Sequence, residues 1–551
     1  MRKSILGCVA LTVALPLAWG AIPAKSTDSA IARNLNTFNS IVKELQNNYV
    51  DSIAADRSFE AAIDAFLANV DPYTEYYPAE EQEALTKLTT GEYGGIGAYL
   101  MDRDSSTYIS EPMKDSPAAR AGIRAGDRIL RVDSTDVSHK LSSEVTKLLR
   151  GRPNTEVSIR LQRPYVKDSI IDVSFTRELL RQPSVPLYKV VDNTGYIRLT
   201  SFIEKSASEV KEALESFKAN PKVENIVIDL RGNGGGLVES AVDILSFFLP
   251  KGTEVVRMKG RDASSERIYK TTRSPLYPDI PLAVLIDGSS ASASEILAGA
   301  VQDLDRGVLI GTRSFGKGLV QSTRPLPYQG VLKITVAKYY IPSGRLIQAL
   351  DYTNRNEDGT VRRIPDSLTR AYMTLHGRTV RDGGGLQPDS VIDWGKVNRL
   401  VYNIVRDNWS YDFATRYAAE HPTIGAPADF VVTDSLYGEF KKSIDPQRFK
   451  YDRVMEDAMK QLKEIASDEG YMDDEATMNT FESLQKLLIH DLNRDLDTHR
   501  ADIVDYLGPE IVSRYYYEPG KIEYMLRDDK AFRAAREIMN SGRYAKILQN
   551  K

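Results

Sequence analysis

Three short stretches carry residues whose type and spacing could do chemistry. The first, LIDGSSASASEILAGAVQDLDRG, leaves an apolar strand at Asp287, turns on small residues and enters a helix with Ile296, Leu297, Ala300, Val301 and Leu304 on one face. Ser292 with Glu295 fits the S-x-x-E capping box, so one reading makes Ser292 an N-cap and nothing more. A serine on a sharp strand-to-helix turn is also how a hydroxyl nucleophile is exposed, with the next N–H and the helix dipole facing a developing oxyanion. The second stretch, DLRGNGGGLVESAVDI, leaves a strand at Leu230 and enters a helix near Leu237, which leaves unhindered N–H groups at a positive helix end. A plain tight turn accounts for it equally well. A dinucleotide fingerprint starting at Gly232 would need glycine at 237, where leucine stands. The third, GTRSFGKG at residues 311–318, has the spacing of a phosphate-cradling loop. Gly318 stands where a Ser or Thr would hold Mg²⁺, and the following LVQSTRPLPYQG ends in proline-rich turns where a helix should run, so no nucleotide partner is expected.

A serine nucleophile needs a base. The histidines are His139, His376, His421, His490 and His499, of which only His376 falls in the middle of the chain, within the turn-rich HGRTVRDGGG. That context speaks against a Ser-His-Asp arrangement. A desolvated lysine can take the role, at roughly 4 kcal/mol of charging energy to bring it from ~10.4 to between ~7 and 8. Lys317, flanked by Gly316 and Gly318 and close to Phe315, Leu319 and Val320, is the candidate, although most lysines are solvated surface groups.

The elements that must position these residues follow from pattern. At 551 residues the chain is too long for one core, so several domains are expected. Its 72 basic and 76 acidic residues are interspersed at a net charge of -4, which gives no basic field for nucleic acid. MRKSILGCVALTVALPLAWGAIPA, residues 1–24, reads as an export signal. Lipid anchoring through Cys8 is not expected, because almost no apolar segment precedes it. Cys8 is the only cysteine, so the mature chain would hold no disulfide, thiolate metal site or cysteine nucleophile. Residues 25–90 read as a helical region, with Ile31, Leu35, Phe38, Val42, Leu45 and Tyr49 at helical spacing, then Phe59, Ala62, Ile63, Phe66 and Val70. Residues 179–395 alternate short apolar runs, GYIRLTSF, ENIVIDL, LAVLIDG and GVLIG, with amphipathic stretches, which is an α/β core. Residues 396–551 are charged and helical, with Leu484, Leu487, Leu488, Leu492 and Leu496 expected to form one apolar stripe. Tyr515, Tyr516 and Tyr517 are expected to be ordinary helix packing.

Between these regions, GEYGGIGAYL, SPAARAGIRAGDRILRVDSTDV and LLRGRPNTEVSIRLQR, within residues 91–178, resemble a PDZ domain, a small β-barrel-like module. The resemblance implies that an extended peptide adds to a sheet edge and that its terminal carboxylate meets the N–H groups of Gly94, Gly95, Ile96 and Gly97. IVIDLRGNGGG, SSASASEILAGAVQD, GTRSFGKGLVQ, LKITVAKYYIPSGRLIQ and GRTVRDGGGLQPD, in that order behind the PDZ-like segment and the export signal, resemble the carboxy-terminal processing peptidases, or tail-specific proteases, of serine peptidase family S41. The resemblance spans about residues 30–395. It implies a multidomain α+β protein: a ClpP/crotonase-like α/β protease core with an inserted PDZ domain and helical N- and C-terminal regions. It implies a serine endopeptidase that cleaves near protein C-termini, with Ser292 as nucleophile, Lys317 as base and Gln321 orienting the base. The oxyanion donors would be the N–H of Ala293 and that of Gly235 or Gly236.

Four residues along a straight strand span ~13 Å, too far for a direct hydrogen bond, so the chain must bend or form a helical turn between Lys317 and Gln321. Tyr73 in DPYTEYY stands where many relatives have histidine, and Asn154 in GRPNT replaces a turn glycine. Neither is expected to touch the dyad. No metal or organic cofactor is expected. The expected partners are protein or peptide C-terminal tails, the helical regions are candidate surfaces for a homo-oligomer, and the expected location is the periplasm or cell envelope.

Overall fold

The computed structural model describes residues 27–549 apart from 82–84, 86–88, 168, 357, 452–453 and 489. The expected leader and Cys8 lie outside the described residues. The chain divides into two compact units, Met1–Asn69 and Val70–Lys551. In the first, α1 (Thr27–Asn48) and α2 (Ala55–Ala68) are the two helices that the apolar spacing predicts, with the rings of Phe38 and Phe59 edge to face at 6.0 Å. No helix among the described residues is long and apolar enough to cross a membrane.

The second unit opens with a departure from expectation. Residues 75–77 form a strand, β1 (Glu75–Tyr77), where the sequence reads as helical. The cause is local: the Asp71 carboxylate accepts the N–H groups of Tyr73 and Thr74, both at 2.8 Å, and turns the chain into an extended course. Next, β2 (Glu92–Gly95) leads into a six-stranded sheet in which β3 (Ala98–Arg103), β4 (Ser106–Pro112), β5 (Arg128–Val132), β6 (Glu156–Gln162) and β7 (Ile170–Thr176) follow one another, with Thr135–Asp136 paired to β5. β3 is an edge strand, and α3 (Ser142–Leu149) buries Val145 and Leu149 against Ile96, Ile109, Ile129 and Leu161. β8 (Glu178–Arg181) returns to pair with β2.

The core sheet runs β9 (Leu187–Val191), β10 (Thr194–Arg198), β11 (Asn225–Asp229), β14 (Leu282–Ile286), β15 (Val308–Gly311) and β18 (Ser390–Val391), parallel from β10 onward. A second sheet holds β12 (Glu254–Gly260), β13 (Arg267–Lys270), β16 (Leu319–Pro325) and β17 (Val331–Tyr340), with β1 on the edge of β17. Side chains alternate across the parallel strands, and both sets are apolar because both faces are covered. Ile197, Ile226, Ile228, Leu282 and Val284 face α4 (Ser206–Lys218), α5 (Val238–Leu245) and α6 (Ala293–Asp303).

The opposite set, Tyr196, Val227, Ala283, Leu285, Val308 and Ile310, is covered from the far end of the chain. There α7 (Arg399–Arg406), α8 (Trp409–Glu420) and α9 (Asp434–Ser443) begin a helical region that continues through α10 (Val454–Asp468), α11 (Glu475–Leu488), α12 (Leu492–Thr498) and α13 (Arg500–Leu526). It ends in α14 (Lys530–Met539) and α15 (Arg543–Leu548). From α14, Ala531, Phe532, Ala535, Ile538 and Met539 pack on the sheet, with the Phe532 ring edge-on to Tyr196 at 5.3 Å. The single leucine stripe does not form: Asp491 caps a new helix by accepting the Arg494 N–H, Leu484 and Leu487 are exposed, and only Leu496 is buried. The hydroxyls of Tyr515 and Tyr516 donate to the carbonyls of His421 and Ile424, as ordinary packing requires.

Candidate active site

The turn between β14 and α6 separates the three serines of SASASE by what their hydroxyls do. Ser290 Oγ donates to the Leu230 carbonyl at 2.9 Å, and Ser294 Oγ to that of Asn233 at 2.8 Å. Both side chains are buried anchors of the turn. Ser292 is half-buried at the N-cap of α6, with φ 57° and ψ −115°, a conformation that costs a non-glycine residue on the order of 1–3 kcal/mol. Anchors on both sides hold it there. The Asp287 carboxylate accepts the N–H groups of Ser289, Ser290 and Gly232, while Asn233 accepts the Ala291 N–H on its carbonyl and the Gly235 N–H on its side chain. The glycine loop is thereby pressed on the serine: a Cβ on Gly235 would lie 2.8 Å from Ser292 Cβ and 2.8 Å from the Ala293 nitrogen. Gly236, at φ 140°, lies so close to Phe202 that a Cβ would come within 2.1 Å of its carbonyl oxygen.

The Gly235 N–H is given to Asn233, whereas the amides of Ala293, Gly234 and Gly236 make no hydrogen bond among the described residues. Free N–H groups at a helix start, beside a strained serine, can accept a developing oxyanion.

The loop carrying Lys317 reaches this turn through one carboxylate. Glu295, fully buried, accepts the Ser292 N–H at 2.9 Å, the Lys317 N–H at 2.9 Å, the Gly316 N–H at 2.7 Å and the Ser314 hydroxyl. Phe315 N–H adds a bond to the Ser290 carbonyl at 3.1 Å. Burial raises the Glu295 carboxyl above its ordinary range, and the four donors oppose that shift. The sequence shows Glu295 only as a capping partner; its hold on the lysine loop comes from a contact that no local pattern encodes.

The Lys317 ammonium faces the Tyr73 ring at 4.2 Å from its centroid. Burial lowers its pKa to about 8, the Lys333 charge adds to the effect, and Asp71, Glu75 and Glu295 act against it. Tyr73 is held by the Asp71 turn and by Tyr352, whose ring is edge-on at 5.9 Å and whose hydroxyl donates to that of Tyr73 at 3.2 Å.

In the smaller domain, the carbonyls of Ile96 and Gly97 turn inward to Ala118 N–H and to Met113 N–H, both within 2.9 Å. The N–H groups of Ile96 and Gly97 make no hydrogen bond among the described residues, next to the open edge of β3. Gly94 and Gly95 are instead paired with β8.

Comparison with known proteins places the chain. Residues 193–353 match the model of peptidase family S41, 108–163 that of a PDZ domain, and 400–539 the C-terminal helical domain of a probable PDZ-protease. A carboxy-terminal-processing protease of Bartonella bacilliformis is 35% identical over 324 residues, covering 58% of this chain and 74% of the relative. The chain belongs to peptidase family S41. A probable CtpA-like serine protease of Staphylococcus aureus is 36% identical over 326 residues, which is 58% of this chain and 63% of that relative. Among solved structures, a photosystem II D1 C-terminal processing protease is 26% identical, covering 65% of this chain and 86% of its own, with a TM-score of 0.36.

Within this S41 peptidase, two expectations at the dyad change, beside that for Gly94 and Gly95 in the smaller domain. Tyr73 does touch the expected base: its ring lies against the Lys317 ammonium, because the Asp71 turn brings β1 to the edge of β17. Gln321 Nε2 donates to Thr335 Oγ1 at 3.1 Å, and no hydrogen bond joins it to Lys317. The expected departure from a straight strand is present as a register shift between Val320 and Gln321. No hydrogen bond joins the Ser292 hydroxyl to the Lys317 amine; the serine and the lysine meet through Glu295. His376 lies in a loop beside Asp305, more than half exposed. Asn154 has φ 66°, a left-handed conformation that asparagine tolerates in place of glycine, and Tyr73 alone of the two departures reaches the site.

Proposed function

We propose that this S41 serine protease is an exported endopeptidase in which Ser292 and Lys317 form the catalytic dyad. The supporting observation is the Glu295 carboxylate, which binds the backbone of both residues while the lysine amine sits in surroundings that bring its pKa to about 8. A substrate tail adds as a strand to β3, and its terminal carboxylate meets the N–H groups at Ile96 and Gly97. Neutral Lys317 takes the Ser292 hydroxyl proton as Oγ attacks the carbonyl carbon. The Ala293 and Gly236 amides bind the resulting oxyanion. The ammonium returns the proton to the leaving amine, and water then cleaves the acyl-enzyme by the same route. Gln321 acts on the lysine only after it leaves Thr335.

The test is cleavage of one unfolded substrate with an apolar tail by wild type, Ser292→Ala and Lys317→Ala. Wild type cleaves near the C-terminus and both variants do not; equal cleavage by all three sinks the proposal. Amidating the substrate C-terminus slows wild-type cleavage if the terminal carboxylate is read.

A further inference from the structure

Arg231 begins the glycine loop, and its guanidinium lies in a buried cluster that the core alone leaves unbalanced. Its Nε and Nη2 donate to the two oxygens of Asp229 at 2.9 and 2.6 Å, and Arg198 Nη1 reaches the same carboxylate at 3.0 Å. Tyr196 donates its hydroxyl to Asp229 as well, at 2.7 Å. The core thus supplies two guanidiniums and one carboxylate. Burial alone would raise the Asp229 carboxyl, but Arg231 and Arg198 hold it at about 2, so it carries its full charge at neutral pH and can neutralise only one of the pair.

The second carboxylate comes from the C-terminal helices. Asp529 caps α14 through Oδ1, which accepts the Phe532 N–H at 2.8 Å, and its Oδ2 pairs with Arg231 Nη1 at 2.8 Å, with side chains only 11% and 17% exposed. Trp394 covers the guanidinium from another side, its ring centroid 5.8 Å away. A buried charge without a partner is costly enough that the structure rearranges to reach water or another ion. Here that rearrangement would run along the backbone from Arg231 to Gly232 and Asn233, the residues that bind Asp287, Ala291 and Ser294 under the nucleophile turn.

We propose that Asp529 is a positioning residue for catalysis: through Arg231 it fixes the glycine loop whose amide would bind the oxyanion, so the C-terminal helices complete the site as well as cover the sheet. The inference rests on the Ser292 reading above.

The experiment measures kcat, KM and Tm for the full chain carrying Asp529→Asn, with Ser292→Ala and the exposed α14 variant Arg533→Gln in parallel. Asp529→Asn is expected to lower kcat by about 10- to 100-fold with KM within about twofold, since a loop displaced near the reacting atoms costs rate before binding. Arg533→Gln keeps the wild-type kcat. Adding Arg198→Gln to Asp529→Asn restores the charge balance and recovers part of the lost kcat, a rescue that loss of packing would not give. If Asp529→Asn does not fold, Asp529→Glu, which keeps the charge and shifts it by one methylene, is read in the same way. A wild-type kcat in the Asp529 variant while Ser292→Ala is inactive overturns this inference alone. A fall in Tm with kcat unchanged also overturns it. Activity in Ser292→Ala instead removes the nucleophile assignment.

Discussion

The nucleophile turn and the lysine loop are built by opposite means. Ser292 is fixed by directed bonds: Asp287, Asn233 and Glu295 hold its turn, and the strain at its φ is sustained by that surplus of anchors. Lys317 has a fixed backbone and an amine governed by surroundings, facing a ring in largely desolvated surroundings with no carboxylate among the described residues hydrogen-bonded to Nζ. An alcohol needs geometry because its attack is directional, whereas a base needs an energy, the one that makes neutral amine available. Breaking the first region should therefore cost stability and rate together, and breaking the second should separate them.

Glu295→Gln tests the first half and carries the largest expected effect. An amide keeps one oxygen and sets its NH₂ group either against the N–H groups of Ser292 and Lys317 or against that of Gly316, so at least one buried N–H of this junction loses its acceptor. Stability should fall by about 3–5 kcal/mol, with kcat/KM down by about 10²- to 10³-fold. Chemical denaturation and steady-state kinetics read both.

Lys317→Met tests the second half. The folded pKa of about 8 lies below the value of ~10.4 for an unfolded lysine, so at neutral pH the folded state holds an ammonium that it disfavours. The unfolded chain binds more protons between the two values, and the stability contribution of this site rises with pH across that window. Methionine removes the penalty. The variant should be inactive yet more stable by about 1–3 kcal/mol at pH 7, with the gain vanishing above pH ~10. A Tm below wild type at pH 7 would show that the lysine is held by attraction and not merely tolerated.

How much of this contrast the sequence shows follows the same division. The strand-to-helix turn at Ser292 and the parallel strands are legible because β-branched runs, small residues and a capping pair are local signals. That Ser290 and Ser294 are anchors is not, since their acceptors, Leu230 and Asn233, belong to another loop. The assignment of Ser292, Lys317 and Gln321 comes from resemblance, and Gln321 in this structure bonds Thr335. The second cover of the core sheet is hidden for a related reason. The apolar face of α14 reads like that of any amphipathic helix, and nothing in its spacing says that its partner is Tyr196 or Ala283. Tyr73 is the sharpest case: the residues between Asp71 and Tyr77 carry a turn and a short strand, and only the pairing of β1 with β17 brings the ring to the lysine.

Tyr73 also gives the finest test, because its ring acts on Lys317 in two opposed ways. Its bulk keeps water from the amine and so lowers the pKa, while its face attracts the ammonium and so raises it. Lys333 works with the first effect, and Asp71, Glu75 and Glu295 with the second. Tyr73→Leu keeps apolar bulk and removes the attraction, so the acid limb of kcat/KM, which should lie near pH 8 in the wild type, moves down by about 0.5–1 pH unit. Tyr73→Phe keeps the ring face and loses only the hydroxyl bond to Tyr352, so its limb should stay within about 0.3 units of wild type. An upward shift in Tyr73→Leu would mean that exclusion of water outweighs the attraction, and the base would then depend on this tyrosine for dryness alone. Equal downward shifts in both variants would place the effect in the paired hydroxyls and remove the ring face from the account.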